Sequence, residues 1–157
     1  MRWAGETALP APTILPKGIN FTIPSREAGR DIPSRVMYPN ARSTEEERRK
    51  CKGVIMHIHG GGWTLGDERS HDTFLEFYAD ASDMAVVSVG YRLAPENPFP
   101  KGPEDCNDAG EYLVKNSVDK YGGPLKFIGG EVRFSEVIIS TRTWRLTSQS
   151  PQEPTSP

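Results

Sequence analysis

The sequence predicts an α/β domain built around a parallel sheet. Three compact apolar runs, Val54–Ile58, Met84–Tyr91 and Leu125–Ile128, are what strands buried on both faces require. Two amphipathic patterns separate them, Asp72–Ser82 and Pro103–Ser117. Strand, helix, strand, helix, strand in that order implies βαβ units with right-handed crossovers.

Taken in order, residues 1–18 form an N-terminal segment, 19–131 the domain, and 132–157 a tail of different character. Asn20–Ile23 and Arg35–Tyr38 are short candidate strands, with the turn between them in Pro24–Pro33. Ser43–Lys52 offers two capping boxes, Ser43 with Glu46 or Thr44 with Glu47, and reads as a solvated loop or short helix. Val54–Ile58 runs directly into a glycine cluster. In Asp72–Ser82 the spacing predicts an inward face of Phe74, Phe77, Tyr78 and Ala81. Pro103–Ser117 opens on Pro and acids and groups Ala109, Tyr112 and Leu113. In the tail, Val137–Ile139 could pair as a strand, and the composition from Thr147 onward is that of disorder.

Composition excludes several functions. Lys and Arg (19) nearly balance Asp and Glu (21), so no basic stripe points to nucleic acid. The apolar runs are too short to span a bilayer, and Met1–Thr22 has no secretory pattern. Cys51 and Cys106 make neither a disulfide framework nor a zinc set, so a reduced, cytoplasmic setting is expected, with no metal and no cofactor. The sequon at Asn20–Thr22 reads as a chance match.

The chemistry sits in His59-Gly60-Gly61-Gly62-Trp63. Consecutive glycines permit positive φ and leave N–H groups uncovered. Such donors at the carboxyl edge of a sheet form an anion-binding nest, which acyl transfer needs for the oxyanion of its tetrahedral intermediate. Phosphate binding is the weaker reading, because neither G-x-x-x-x-G-K-[ST] nor G-x-G-x-x-G occurs.

HGGGW, Gly66-Asp67, His71-Asp72, Tyr91-Arg92-Leu93-Ala94-Pro95-Glu96, Pro98-Phe99-Pro100 and Pro103-Glu104-Asp105-Cys106 follow in that order. The set resembles the hormone-sensitive-lipase-like branch of the α/β-hydrolases, which are carboxylic-ester hydrolases. It covers about residues 19–131 and is firmest over 53–131. The resemblance implies the α/β-hydrolase fold, an eight-stranded and mostly parallel sheet, of which this chain would carry the N-terminal half, about strands 1–5. It implies a small ester substrate and an oxyanion hole of Gly60, Gly61 and Gly62 braced by His59. Trp63 would edge the substrate pocket. Arg92 and Glu96 would fix the turn after strand four, and Asp105 would cap or pair.

The resemblance stops at Glu131. Where the family places a G-x-S-x-G nucleophile elbow after strand five, this chain reads Gly130-Glu131-Val132-Arg133-Phe134. Val132 occupies the nucleophile position and has no hydroxyl. Ser135 falls three residues late, and Cys106, on a predicted helix beside Glu104 and Asp105, reads as structural. His57, His59 and His71 all precede the elbow, whereas the family order is Ser, acid, His. The expectation is therefore an esterase-family chain that ends its resemblance before the nucleophile and does not hydrolyse. The alternatives are a non-catalytic binding module, or a truncated splice product in which Val132-Arg133 reads through an intron donor. Strands four and five are expected to expose apolar flanks and an open edge, through which the chain would self-associate.

Overall fold

The computed structural model describes residues 11–130 together with Ile139 and Ser140. Its elements are β1 (Ile19–Pro24), β2 (Asp31–Met37), α1 (Glu45–Arg48), β3 (Val54–Ile58), α2 (Asp72–Ser82), β4 (Ala85–Val89), α3 (Lys101–Tyr121), β5 (Leu125–Gly130) and β6 (Ile139–Ser140). The six strands form one sheet in the order β1-β2-β4-β3-β5-β6. β3, β4 and β5 run parallel, while β1, β2 and β6 are antiparallel to their neighbours. The parallel centre needs α2 and α3 as crossovers. β1 and β2 need only a tight turn, closed by Ser25 N–H donating to the Arg30 carbonyl at 3.1 Å. The described strands thus form a mixed sheet, parallel at its centre and antiparallel on the β1–β2 side, as the N-terminal part of a larger mostly parallel sheet would.

The sheet is covered on both sides, and its strands divide their side chains accordingly. Val54 and Met56 of β3 and Ala85, Val87 and Val89 of β4 pack with Cys106, Ala109, Leu113 and Tyr121 of α3. Val86 of β4, with Ile55 of β3, packs instead against Leu75 and Ala79 of α2 and Met37 of β2. This period-two division leaves every residue of β4 buried, which explains its unbroken apolar run.

Several sequence expectations need correction. β2 begins at Asp31, four residues before its expected start, because Ile32 and Ser34 already alternate inward ahead of Val36. The bounds of α2 match the expectation, but its face does not. Phe74, Phe77 and Tyr78 are exposed, and the buried positions are Asp72, Leu75 and Ala79. The buried pairing of Asp72 with Arg35 sets the helix rotation and turns the bulkier aromatics outward. The flank expected on strand four is absent, because β4 lies inside the sheet between β2 and β3. β5 does expose Phe127, and β6 borders it through Phe127↔Ser140 and Ile128↔Ile139. Among the described residues, the long unpaired edge is β1. Apart from Ile139 and Ser140, the tail expectations lie outside the described residues.

Local chemistry fixes the helix ends. Of the two candidate capping boxes, Thr44 and Glu47 form the one that occurs: Glu47 N–H donates to Thr44 Oγ1 at 3.2 Å and Thr44 N–H donates to Glu47 Oε2 at 3.0 Å. α2 ends at Asp83, which takes the left-handed conformation at φ 57°. Its carboxylate is held by Arg42 and Lys52, and its carbonyl accepts from Lys52 N–H at 2.9 Å. α3 ends at Gly122, φ 84°, where a Cβ would lie 2.0 Å from the Arg49 carbonyl oxygen, so only glycine fits.

Candidate functional site

The glycine loop leaves the carboxyl end of β3. Gly61 and Gly62 have φ of 116° and 60°, and Trp63 follows at φ 65°, a conformation a large side chain adopts only when its surroundings hold it. Gly61 turns its carbonyl into the loop, where it accepts from Thr64 N–H, Leu65 N–H and Thr64 Oγ1 at 3.1, 3.1 and 3.0 Å. Among the described residues, no hydrogen bond takes up the N–H of Gly60, Gly61 or Gly62. The loop therefore satisfies its acceptor and leaves three consecutive backbone donors open.

Two aromatic side chains hold this geometry. The buried His59 ring stacks on Tyr91, with centroids 4.1 Å apart and planes at 11°. The Tyr91 hydroxyl donates to the His59 carbonyl at 2.8 Å. His59 Nδ1 lies 2.8 Å from the Gly60 carbonyl, so this nitrogen carries the proton. Burial holds the imidazole below its ordinary pKa, against the opposing pull of that carbonyl. Trp63 lies 4.8 Å from the Tyr91 ring and touches Gly102 at the start of α3, where an added Cβ would come within 2.9 Å of the indole. Its carbonyl accepts from Ala94 N–H at 2.9 Å. Tyr91 thus supports both ends of the loop, a role the sequence hides because neither its strand pattern nor its motif relates it to the glycines.

Arg92 and Asp105 fix the turn beneath. Asp105 is fully buried and accepts from Arg92 Nε and Nη2 at 3.0 and 2.9 Å, from Arg92 N–H at 2.9 Å, and from Arg30 Nη1 and Nη2 at 2.7 and 2.8 Å. Pairing is its role. It sits inside α3 and does not cap, and the N-cap position holds Pro100 with no side-chain hydrogen bond. Cys106 is buried beside it, and burial first, then the Asp105 charge, pushes its thiol up to about 12, which leaves it inert.

β5 brings the chain to the same edge. In the parallel register His57 stands opposite Gly129 and Ile58 opposite Gly130, so β5 ends level with the start of the glycine loop. Among the described residues, nothing lies within 4 Å of where a Gly129 Cβ would stand. Val132, which the resemblance sets at the nucleophile position, and Ser135 lie outside the described residues.

The histidines serve structure. His57 is buried on the α2 side, with Nδ1 3.1 Å from Ser88 Oγ and its ring 5.6 Å from that of His71. Among the described residues no His, Cys, Asp and Glu group is arranged to hold a metal, and no helix is long and apolar enough to cross a membrane. A groove of about 340 Å³ is lined by Tyr38, Glu45, Arg48, Arg49, Asp119 and Lys120 and shares no residue with the glycine loop.

The loop geometry makes a sharp prediction. A Cβ on Gly61 would stand 2.3 Å from the Leu65 carbonyl oxygen, at a φ that L-residues avoid, whereas Gly62 has open space around it. Gly61→Ala is expected to cost about 1–3 kcal/mol and to move the amide resonances of residues 59–66. Gly62→Ala is expected to cost only the left-handed strain of about 1–2 kcal/mol and to leave the rest of the loop in place. Thermal denaturation and amide spectra of the two variants separate these outcomes.

Comparison with known proteins bears on the fold that carries this loop. A family described as alpha/beta hydrolase fold matches residues 55–132. Carboxylesterase NlhH of Mycobacterium tuberculosis is 38% identical over 96 residues, which is 61% of this chain and 28% of that protein. Hormone-sensitive lipase of Bos taurus is 30% identical over 108 residues, 66% of this chain and 14% of that protein. Among solved structures, an esterase from Pyrobaculum calidifontis superposes with a TM-score of 0.61 at 34% identity, covering 74% of this chain and 35% of its own. The chain thus spans well under half the length of the relatives it matches.

Proposed function

This chain belongs to the alpha/beta hydrolase fold family, among carboxylesterase relatives, and from that premise we propose that its glycine loop binds the carbonyl or carboxylate oxygen of a small acyl compound without cleaving it. The observation that carries this reading is the set of three open N–H groups at Gly60–Gly62, placed at the sheet edge where β5 also ends. In an ester hydrolase such donors stabilise the developing oxyanion, each by about 3–4 kcal/mol. His59 and Tyr91 hold the loop in that conformation before any ligand arrives, and Trp63 borders the space beside it.

Hydrolysis would further require a nucleophile at the end of β5. Val132 offers no hydroxyl and no thiol, so no acyl-enzyme forms at that position. What remains is recognition of the acyl group.

Two measurements on the full chain test this. Treatment with a fluorophosphonate probe is expected to give no covalent adduct, and p-nitrophenyl butanoate no burst of product. Titration with butanoate is expected to shift the amide protons of Gly60, Gly61 and Gly62 downfield in a saturable way. Labelling of the chain would overturn the non-hydrolytic reading, and unmoved glycine amides would overturn the binding.

A further inference from the structure

The phase of the β1–β2 ladder determines which main-chain groups of β1 are free. Gly90 N–H donates to the Pro33 carbonyl at 2.7 Å, so Pro33 directs its peptide groups toward the β4 side. Pro33 stands opposite Thr22, and the two are therefore a pair without mutual hydrogen bonds. Ser25 N–H donating to the Arg30 carbonyl gives the same phase one step along. Phe21 and Ile23 consequently bond to β2, while Asn20 and Thr22 turn both N–H and C=O outward at the sheet edge. Their side chains are already occupied. Asn20 Oδ1 accepts from Arg35 Nη1 at 2.7 Å, and Thr22 Oγ1 donates to Asp31 Oδ2 at 3.4 Å.

This edge lacks the usual guards. β1 contains no charged residue, and its one proline is its last residue, beyond the free groups. Both open residues are two apart on the same strand, which makes the edge complementary to itself. An antiparallel second strand related by a twofold axis through Phe21 places Asn20 opposite Thr22 of the other copy. Each such pair exchanges two hydrogen bonds, and the symmetry makes four. Phe21 then faces Phe21 of the other copy as a close pair without hydrogen bonds, next to its own contact with Tyr121 at 6.3 Å.

We propose that the chain forms a twofold dimer through its β1 strands, with Asn20 and Thr22 exchanging main-chain hydrogen bonds across the axis and the sheet continuing from one copy into the other. The occupant of the edge is a second copy because one register satisfies all four open groups of Asn20 and Thr22 in each chain. The proposal is independent of what the glycine loop binds.

Thr22→Pro tests it. The substitution removes an N–H that β2 does not use, so each monomer keeps its own ladder. In sedimentation experiments the intact wild-type chain is expected to be dimeric at tens of micromolar. Thr22→Pro is expected to weaken association roughly ten- to hundredfold, with an unchanged circular-dichroism spectrum. A second variant guards against loss of folding. Phe21→Cys is expected to form an inter-chain disulfide on mild oxidation, because the paired positions lie within bridging distance, whereas the wild type, with Cys51 and Cys106 buried, forms none. A wild-type chain that stays monomeric at a hundred micromolar, a folded Thr22→Pro chain that dimerises as well as wild type, or a Phe21→Cys chain that never cross-links would overturn it.

Discussion

Asp72→Ala is expected to destabilise the fold by about 3–5 kcal/mol, enough to unfold much of a domain of ordinary stability. Asp72 is fully buried at the first turn of α2 and Arg35 almost so on β2. They pair through Arg35 Nε to Oδ1 at 2.8 Å and Arg35 Nη2 to Oδ2 at 2.7 Å. Removing the carboxylate leaves a guanidinium buried with no counter-charge, the costly case for an internal ion pair. It also removes the acceptor of Leu15 N–H, bonded to Asp72 Oδ2 at 2.7 Å. Arg35 meanwhile donates to the carbonyls of Leu15 and Gly18, so the pair straps the segment before β1 onto the sheet. The double variant Arg35→Met with Asp72→Leu is expected to recover part of the loss, because it takes away the uncompensated charge. The part it fails to recover measures the strap. Urea unfolding of the two variants and wild type, at a concentration low enough to keep all monomeric, gives the comparison. A single variant within about 1 kcal/mol of wild type would contradict this account.

The second large effect is acid sensitivity through His57. Burial first, then the neighbouring His71 and His59, lowers its pKa from 6.5 to about 3. The folded protein therefore keeps His57 neutral in a range where the unfolded chain binds a proton. The unfolded state holds more protons between those two values, so stability rises with pH across the window. The contribution is complete above about pH 6.5 and is lost as pH falls toward 3, at up to about 1.4 kcal/mol per unit. His57→Asn removes the titrating group and is expected to flatten the acid limb of a plot of unfolding free energy against pH. An unchanged slope between pH 6 and 4 would place the acid sensitivity elsewhere.

The central βαβ pattern was legible because its strands are covered on both faces and therefore read as unbroken apolar runs. β3, α2, β4, α3 and β5 all occur where their patterns lie. The glycine loop was legible for a related reason, since three adjacent glycines have few uses. The inward face of α2 was not legible. Its rotation is set by a charge, Asp72, that sequence patterning assigns to the solvent, and the three aromatic residues that look like core stand outside. The start of β2 was hidden by Pro33, a residue that argues against a strand. The ladder tolerates it there because its carbonyl, and not a missing N–H, makes the bond to Gly90. Tyr91 was visible as the end of a strand and the first residue of a motif, but its support of the glycine loop was not, because its stacking with His59 joins residues far apart in the chain.

The five hydrogen bonds gathered on Asp105 bear on how such a site acquires new specificity. The segment that follows β4 is fixed at Arg92 by that carboxylate, at Ala94 by its bond to the Trp63 carbonyl, and again at Gly102 under the indole ring. Between these anchors runs a stretch rich in proline, with Phe99 85% exposed at its crest. Its two ends hold position without help from Phe99. The stretch therefore behaves as an exchangeable cassette at the border of the site: drift can rewrite its crest while the supports of Trp63 stay where they are, and innovation in what the site accepts is decoupled from the integrity of the scaffold that presents it.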